Sequence, residues 1–166
     1  MIKPVMLYLS PIWSSCNKEF LERVLRMQKR AARIILDAER TTRTLTMFNE
    51  LNWIPFFIEA YISRGFMAFK RIEGTTPDYI TSTLKTNSEF HNRSTCFANL
   101  NFRCAVFKKN TEGGFTFSVR TIRNWSELSM DVKKVKNVKS LKRKLYTNLI
   151  AKQKEAGNFE YDSFKY

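Results

Sequence analysis

Four arginines, Arg23, Arg26, Arg30 and Arg33, recur at spacings of three and four residues. At 100° per residue, such a set falls on one side of a helix. A guanidinium presents a planar fork of N–H donors that matches phosphate oxygens, so a row of them suits a phosphodiester backbone. Only Glu19 and Glu22 lie near the row to neutralise it. A second basic group, Lys142, Arg143 and Lys144, is consecutive and so wraps around a helix instead of lining one face. Trp53 and Trp125 are candidate platforms for stacking on bases, with burial in a core as the commoner fate of tryptophan.

Other chemistries lack their residues. His91, Cys96 and Cys104 follow one another at intervals of five and eight, without the close ligand pair or the fourth ligand that a zinc site needs. Asp37, Asp78, Asp131 and Asp162 are scattered, so no adjacent pair is available to hold two metal ions for phosphoryl transfer. Gly113-Gly114 suits a turn and belongs to no phosphate-cradling loop. The three cysteines, Cys16 being the third, are odd in number and irregular in spacing, which reads as plain thiols. The expectation is therefore no catalytic residue, no metal ligand and no cofactor.

The elements that must carry these residues are mostly helical. From Phe20 to Leu36, the residues Leu21, Val24, Leu25, Gln28, Ala31, Ala32, Ile35 and Leu36 form a stripe opposite the arginines, the pattern of an amphipathic helix. The polar run after it marks a turn, and Thr44 can cap a short helix through Met47, Phe48 and Leu51 before a second turn at Asn52. Pro55 fits the first position of a longer helix that Gly74 stops. Thr76-Pro77-Asp78-Tyr79 bends into one more helical turn, and residues 81–95 read as a loop.

The second half changes character. Phe97, Leu100 and Phe102, then Val106 and Phe107, then Phe115, Phe117 and Val119 alternate around Gly113-Gly114, which predicts a small β-hairpin or meander over about 96–122. Trp125 and Leu128 predict a short helical turn. Ser140 can cap a last helix with Leu141, Leu145 and Leu149 on one side. The fold class expected is α+β, mainly α: a helical region over 1–80, a region of short strands and a basic helix over 81–155, and a frayed tail over 156–166.

Composition agrees with a charged ligand. The 166 residues carry 29 Lys plus Arg against 15 Asp plus Glu, a formal charge of +14. Residues 18–33 account for +4 and residues 131–155 for +7, so eleven of the fourteen surplus charges sit in two patches. Patchy positive fields attract polyanions. The 27% charged fraction breaks every apolar run short of the roughly 20 residues that span a bilayer. The first residues lack the pattern of a secretory signal, so an intracellular location, nuclear or cytoplasmic, is expected.

Several segments taken in order resemble a known family. They are Leu7-Tyr8 with Pro11-Ile12-Trp13, the run Leu25 to Ile35, Glu50-Leu51-Asn52-Trp53-Ile54-Pro55, Phe69-Lys70, Gly74 with Pro77-Asp78-Tyr79, Phe117-Ser118-Val119-Arg120, Trp125 with Leu128, and Ser140-Leu141-Lys142. Together, over roughly residues 4–150, they resemble the region that follows the palm in Jockey-like, LINE-type non-LTR retrotransposon reverse transcriptases. Leu9, Ser126, Ser129 and Leu141 depart from the family's usual residues. The resemblance implies a thumb-like helical region over 4–80, a ligand in RNA or RNA–DNA duplex, and an upstream polymerase domain as partner. It also implies that the aspartate pair of the polymerase site lies in the palm, outside this chain, so that the chain is a non-catalytic fragment. Two alternatives stand beside duplex binding: a structural module that completes an upstream polymerase, and a relic with no activity.

Overall fold

The computed structural model describes residues 7–16, 18–89, 100–103 and 116–155. They are mostly helical. In chain order the helices are α1 (Ser10–Trp13), α2 (Lys18–Leu36), α3 (Thr44–Glu50), α4 (Phe56–Ile72), α5 (Asp78–Thr83), α6 (Phe117–Ser126), α7 (Met130–Lys133) and α8 (Val138–Glu155), with a 3-10 turn at Asn87–Glu89. Two compact units result: Met1–Ala60 with Leu145–Tyr166, and Tyr61–Lys144.

Three of these helices end the same way. After α2, α3 and α4 the chain turns left-handed at Asp37 (φ 48), Asn52 (φ 50) and Gly74 (φ 71). In each case the next amide reaches back five residues: Ala38 N–H to the Arg33 carbonyl at 3.0 Å, Trp53 to Phe48 at 2.7 Å, Thr75 to Lys70 at 3.0 Å. This is the Schellman arrangement, in which a left-handed residue past the helix satisfies carbonyls that would otherwise lack donors. Aspartate, asparagine and glycine are the residues that reach that conformation at least cost.

In the first unit α2 packs on α3. Leu21, Val24, Leu25 and Ala32 of α2 are buried, as are Met47 and Phe48 of α3 and the run Ile54 to Ile58. Gln28 lies among the apolar residues of α2 and is only 8% exposed. Its Nε2 donates to the Ile54 carbonyl at 2.9 Å, and its Oε1 accepts from the Phe56 amide at 3.0 Å. Phe56 opens α4, so its N–H is one of the donors that a helix start leaves without an internal partner. A second buried glutamine, Gln153 of α8, donates to Asn49 Oδ1 at 2.9 Å and to the Trp53 carbonyl at 3.1 Å. Both amides thus grip the bend between α3 and α4. Glu59, 3% exposed, accepts a short hydrogen bond from the Tyr146 hydroxyl. Burial, that bond and the carboxylate charge all raise the Tyr146 pKa.

In the second unit Val119, Ile122 and Trp125 of α6, Val132 of α7 and Leu141 of α8 are buried together with Phe69, Leu84 and Phe102. Buried Lys133 donates from Nζ to the Ser126 carbonyl at 3.2 Å and to Asn101 Oδ1 at 3.5 Å, and burial pushes its pKa below the usual lysine range. Arg71 Nε donates to the Leu84 carbonyl at 2.9 Å and its guanidinium pairs with Glu89. With the Asn124 amide turned so that its oxygen faces the buried Arg64 guanidinium, the orientation that satisfies both groups, that oxygen lies 2.7 Å from Arg64 Nε.

Several expectations change. The one β feature among the described residues is an antiparallel bridge between Thr86 and Phe102. Residues 96–99 and 104–115 of the expected hairpin lie outside the described residues, as do His91, Cys96, Cys104 and the tail from 156. Phe117–Ile122, expected as strand, is the first part of α6. Phe117 and Val119 do alternate, but Val119, Ile122 and Trp125 also stand three apart, and a helix buries all three on one face. The start of α8 is capped by Asn137, whose Oδ1 accepts from the Ser140 amide at 2.8 Å, so Ser140 is the capped residue and not the cap. Thr44 likewise stands inside α3, with Arg43 at the cap position. Ile35, assigned to the inner stripe of α2, is 57% exposed, because it lies in the last turn of the helix, one residue before its end.

Two outcomes are expected. Gln28→Leu leaves the Ile54 carbonyl and the Phe56 amide without their partners, at about 1–3 kcal/mol for each buried group, so urea unfolding should show a loss of roughly 2–4 kcal/mol. An unchanged midpoint would refute this role. Tyr61, whose hydroxyl donates to the Asn124 carbonyl at 3.3 Å, has its pKa pushed from 10.0 up to about 12, first by burial and then by the Glu127 charge, with Arg64 opposing. The folded chain then holds a proton that the unfolded chain releases, so stability is full below pH 10 and falls as pH rises from 10 towards 12. Tyr61→Phe should flatten that alkaline decline in thermal melts, and a decline equally steep in both proteins would count against it.

Candidate nucleic-acid interface

The inner face of α2 is fixed by its core residues and by Gln28, which leaves the opposite face outward. Arg23, Arg26 and Arg30 are exposed there and Arg33 is half-buried. From Arg23 to Arg33 the row runs roughly 15 Å along the helix at 1.5 Å per residue. Arg26, Arg30 and Arg33 line one concavity of about 580 Å³ together with Lys29 and Arg40. Arg23 does not line it.

Arg40 arrives from outside the helix. Asp37 turns the chain left-handed immediately after Leu36, and the Thr42 amide bonds to the Glu39 carbonyl at 3.1 Å, folding residues 38–42 into a tight loop. The Glu39 carboxylate in that loop accepts from the Thr41 hydroxyl at 3.2 Å. Among the described residues no carboxylate pairs with any of the five cations lining the concavity. Arg33 Nε is buried there without a hydrogen-bond partner among the described residues.

The arrangement is electrostatically unfavourable by itself. Arg26–Arg30 and Lys29–Arg33 are like-charge pairs four apart, and Arg26–Lys29 and Arg30–Arg33 are three apart. Each such neighbour costs about 0.2–0.5 kcal/mol on a helix surface, so the four together cost on the order of 1–2 kcal/mol at low salt. The position of Arg33 in the last turn, at the negative end of the helix dipole, offsets part of this. A bound polyanion would remove the rest.

Other candidates behave differently. Lys142, Arg143 and Lys144 are exposed on α8 within the second unit, and Lys144 Nζ donates to the Asp131 carbonyl at 3.2 Å. Leu141, Leu145 and Leu149 are buried on the other side of that helix. Trp125 is 1% exposed, its indole N–H donates to the Leu100 carbonyl at 2.7 Å, and its ring meets Phe102 edge-on at 6.3 Å. It cannot offer a face to a base in this structure, which corrects the expectation for that residue. Trp53 is half-buried and edge-on to Phe48 at 6.4 Å. No group of three His, Cys, Asp or Glu side chains suited to a metal ion occurs among the described residues, and no helix there is long and apolar enough to cross a membrane.

Sequence reasoning missed Lys29 and Arg40. Lys29 sits at the edge of the arginine face, where helical spacing assigns it to neither side. Arg40 looks like an ordinary turn residue, and the signal that could have found it is Asp37, a residue able to end the helix and turn the chain back. The exposed apolar side chains of Phe20, Met27 and Ile34 also went unread, although they stand seven apart on one strip of α2 beside the arginines.

Comparison with known protein families, curated proteins and solved structures finds no match to this chain.

Because the cations lack partners, removing one should not weaken the fold. Arg30→Gln deletes two like-charge contacts and should raise stability by up to about 1 kcal/mol at low salt, an advantage that fades as salt is added. Destabilisation by this change in a thermal melt would show that Arg30 holds the structure together.

Proposed function

We propose that this chain binds the phosphate backbone of an RNA or RNA–DNA duplex without reading its sequence, as a non-catalytic segment of a non-LTR retrotransposon reverse transcriptase. One observation supports the binding reading above the others. Five cations from two adjacent segments, Arg26, Lys29, Arg30, Arg33 and Arg40, line one concavity, and no carboxylate among the described residues pairs with them. Backbone contacts of this kind position a duplex and carry no base information. The retrotransposon assignment rests on the ordered sequence resemblance alone and is separable from it. Under that assignment the polymerase chemistry belongs to palm residues that this chain does not include.

A second reading has its own observation. Tyr8, Ile12, Phe20, Met27 and Ile34 of the first unit are all exposed large apolar residues, and contiguous patches of that kind mark surfaces that another polypeptide covers. On that reading the chain completes an upstream polymerase and its basic face contacts protein.

Fluorescence anisotropy on the full chain with labelled duplexes of unrelated sequence separates the two. Backbone binding through about five phosphates predicts log K falling with log salt at a slope near −4 to −5, a loss of several-hundredfold between 50 and 200 mM. Arg26→Glu combined with Arg30→Glu should reduce the slope by about two and weaken every sequence at least tenfold. Affinity indifferent to salt, or unaffected by the double reversal, sinks the proposal.

A further inference from the structure

The shape of the basic concavity carries more than backbone tracking. A straight run of phosphodiesters lies along a row of cations and meets it from one side. Here the row is interrupted: Arg23 at its N-terminal end does not line the concavity, whereas Arg40, from the loop beyond the helix, does. The five basic side chains therefore line one open space of about 580 Å³ near the C-terminal half of α2, bounded mostly by their aliphatic stems.

Charge matching points the same way. A bridging diester carries one negative charge, a terminal phosphomonoester about two, and each further phosphoryl group adds to it. Five cations without carboxylate partners among the described residues match a compact, highly charged anion better than a single diester. Arg33 adds an independent feature. Its Nε is buried and without an acceptor among the described residues, while the same side chain lines the concavity. That N–H is shut off from solvent as the side chain stands, as is Arg120 Nε in the second unit, so a ligand oxygen would meet it only after the Arg33 guanidinium turns outward. Arginine is also the side chain whose donors pair two at a time with phosphate oxygens.

We infer that the concavity lined by Arg26, Lys29, Arg30, Arg33 and Arg40 is a polyphosphate site, which takes a terminal triphosphate group in preference to internal phosphodiesters. The inference rests on the phosphate-binding reading above and makes it more specific. The same chemistry is present at the 5′ end of a nucleic-acid strand and in a free polyphosphate, and the two sources are distinguishable.

The test uses the full chain and one RNA duplex made with a 5′-hydroxyl, a 5′-monophosphate or a 5′-triphosphate end, with binding followed by anisotropy at fixed salt. The triphosphate form should bind at least tenfold more tightly than the hydroxyl form, with the monophosphate between them. Arg33→Gln and Arg40→Gln should each abolish most of that preference, while Lys139→Gln, which removes the same charge from an exposed position elsewhere, should leave it intact. Circular dichroism melts establish that each variant is folded. Tripolyphosphate alone should compete with the triphosphate end. Competition at equal concentration assigns the site to free polyphosphate, and competition only at large excess assigns it to strand ends. Equal affinity for the three ends overturns the inference and leaves backbone binding standing. Failure to bind any of the duplexes removes both.

Discussion

The geometry of the basic face depends on one buried amide. Gln28 stands in the middle of the inner stripe of α2 and bonds through both ends of its side chain to the backbone on either side of Pro55. The apolar stripe of Leu21, Val24, Leu25 and Ala32 already sets which side of α2 faces in, and small shifts along the helix are what it leaves least fixed. Two directional bonds to fixed backbone atoms remove that freedom. Together with that stripe they fix the register of α2 on the bend, and hence where the arginine row stands. The same bend is held from the C-terminal helix by Gln153, which bonds to Asn49 and to the Trp53 carbonyl. Amides suit this work because each supplies a donor and an acceptor without a charge to desolvate.

Much of this was legible in the sequence, and the reasons where it was not are specific. The inner stripe of α2, the turn at Asn52, the stop at Gly74 and the buried side of α8 all follow from local rules of spacing and turn chemistry, and the chain is mainly α as those rules require. Gln28 could be placed on the buried side by its spacing, but not assigned its partners, which lie 26 and 28 residues away. The expected strand at Phe117 failed because alternating and three-residue spacings coexist in Phe117-Ser118-Val119-Arg120-Thr121-Ile122. Burial of Trp125 selects the helical period, and burial is a tertiary fact. The cap at Ser140 failed because Asn137, three positions earlier, satisfies the same composition rule, and at Thr44 the cap position falls to Arg43, whose side chain makes no capping bond.

The site divides along the same line. Arg26, Arg30 and Arg33 share a helix face and so are visible as a set, whereas Arg40 joins them only because Asp37 adopts a left-handed conformation and returns the chain. Trp125 meets the commoner of its two expected fates, burial in the core. An aromatic residue near basic sequence invites a stacking role, yet its indole N–H needs an acceptor when buried, and the Leu100 carbonyl supplies it.

Buried and exposed cations are handled by different means in this chain. Arg71 meets the Leu84 carbonyl through Nε and the Glu89 carboxylate through its guanidinium, and Arg120, though buried, keeps an Nε without an acceptor among the described residues, while Lys133 points at neutral oxygens, the Ser126 carbonyl and Asn101. Those oxygens replace water, which is why a side chain as costly to bury as lysine is tolerated there. The cations around the concavity receive no such treatment. They repel one another, and Arg33 keeps a buried N–H without an acceptor. Four like-charge neighbours oppose that placement, and the helix dipole at Arg33 and the Glu22–Arg26 spacing offset only part of their cost. On the reading proposed above, the charge of an anion from outside would remove that repulsion.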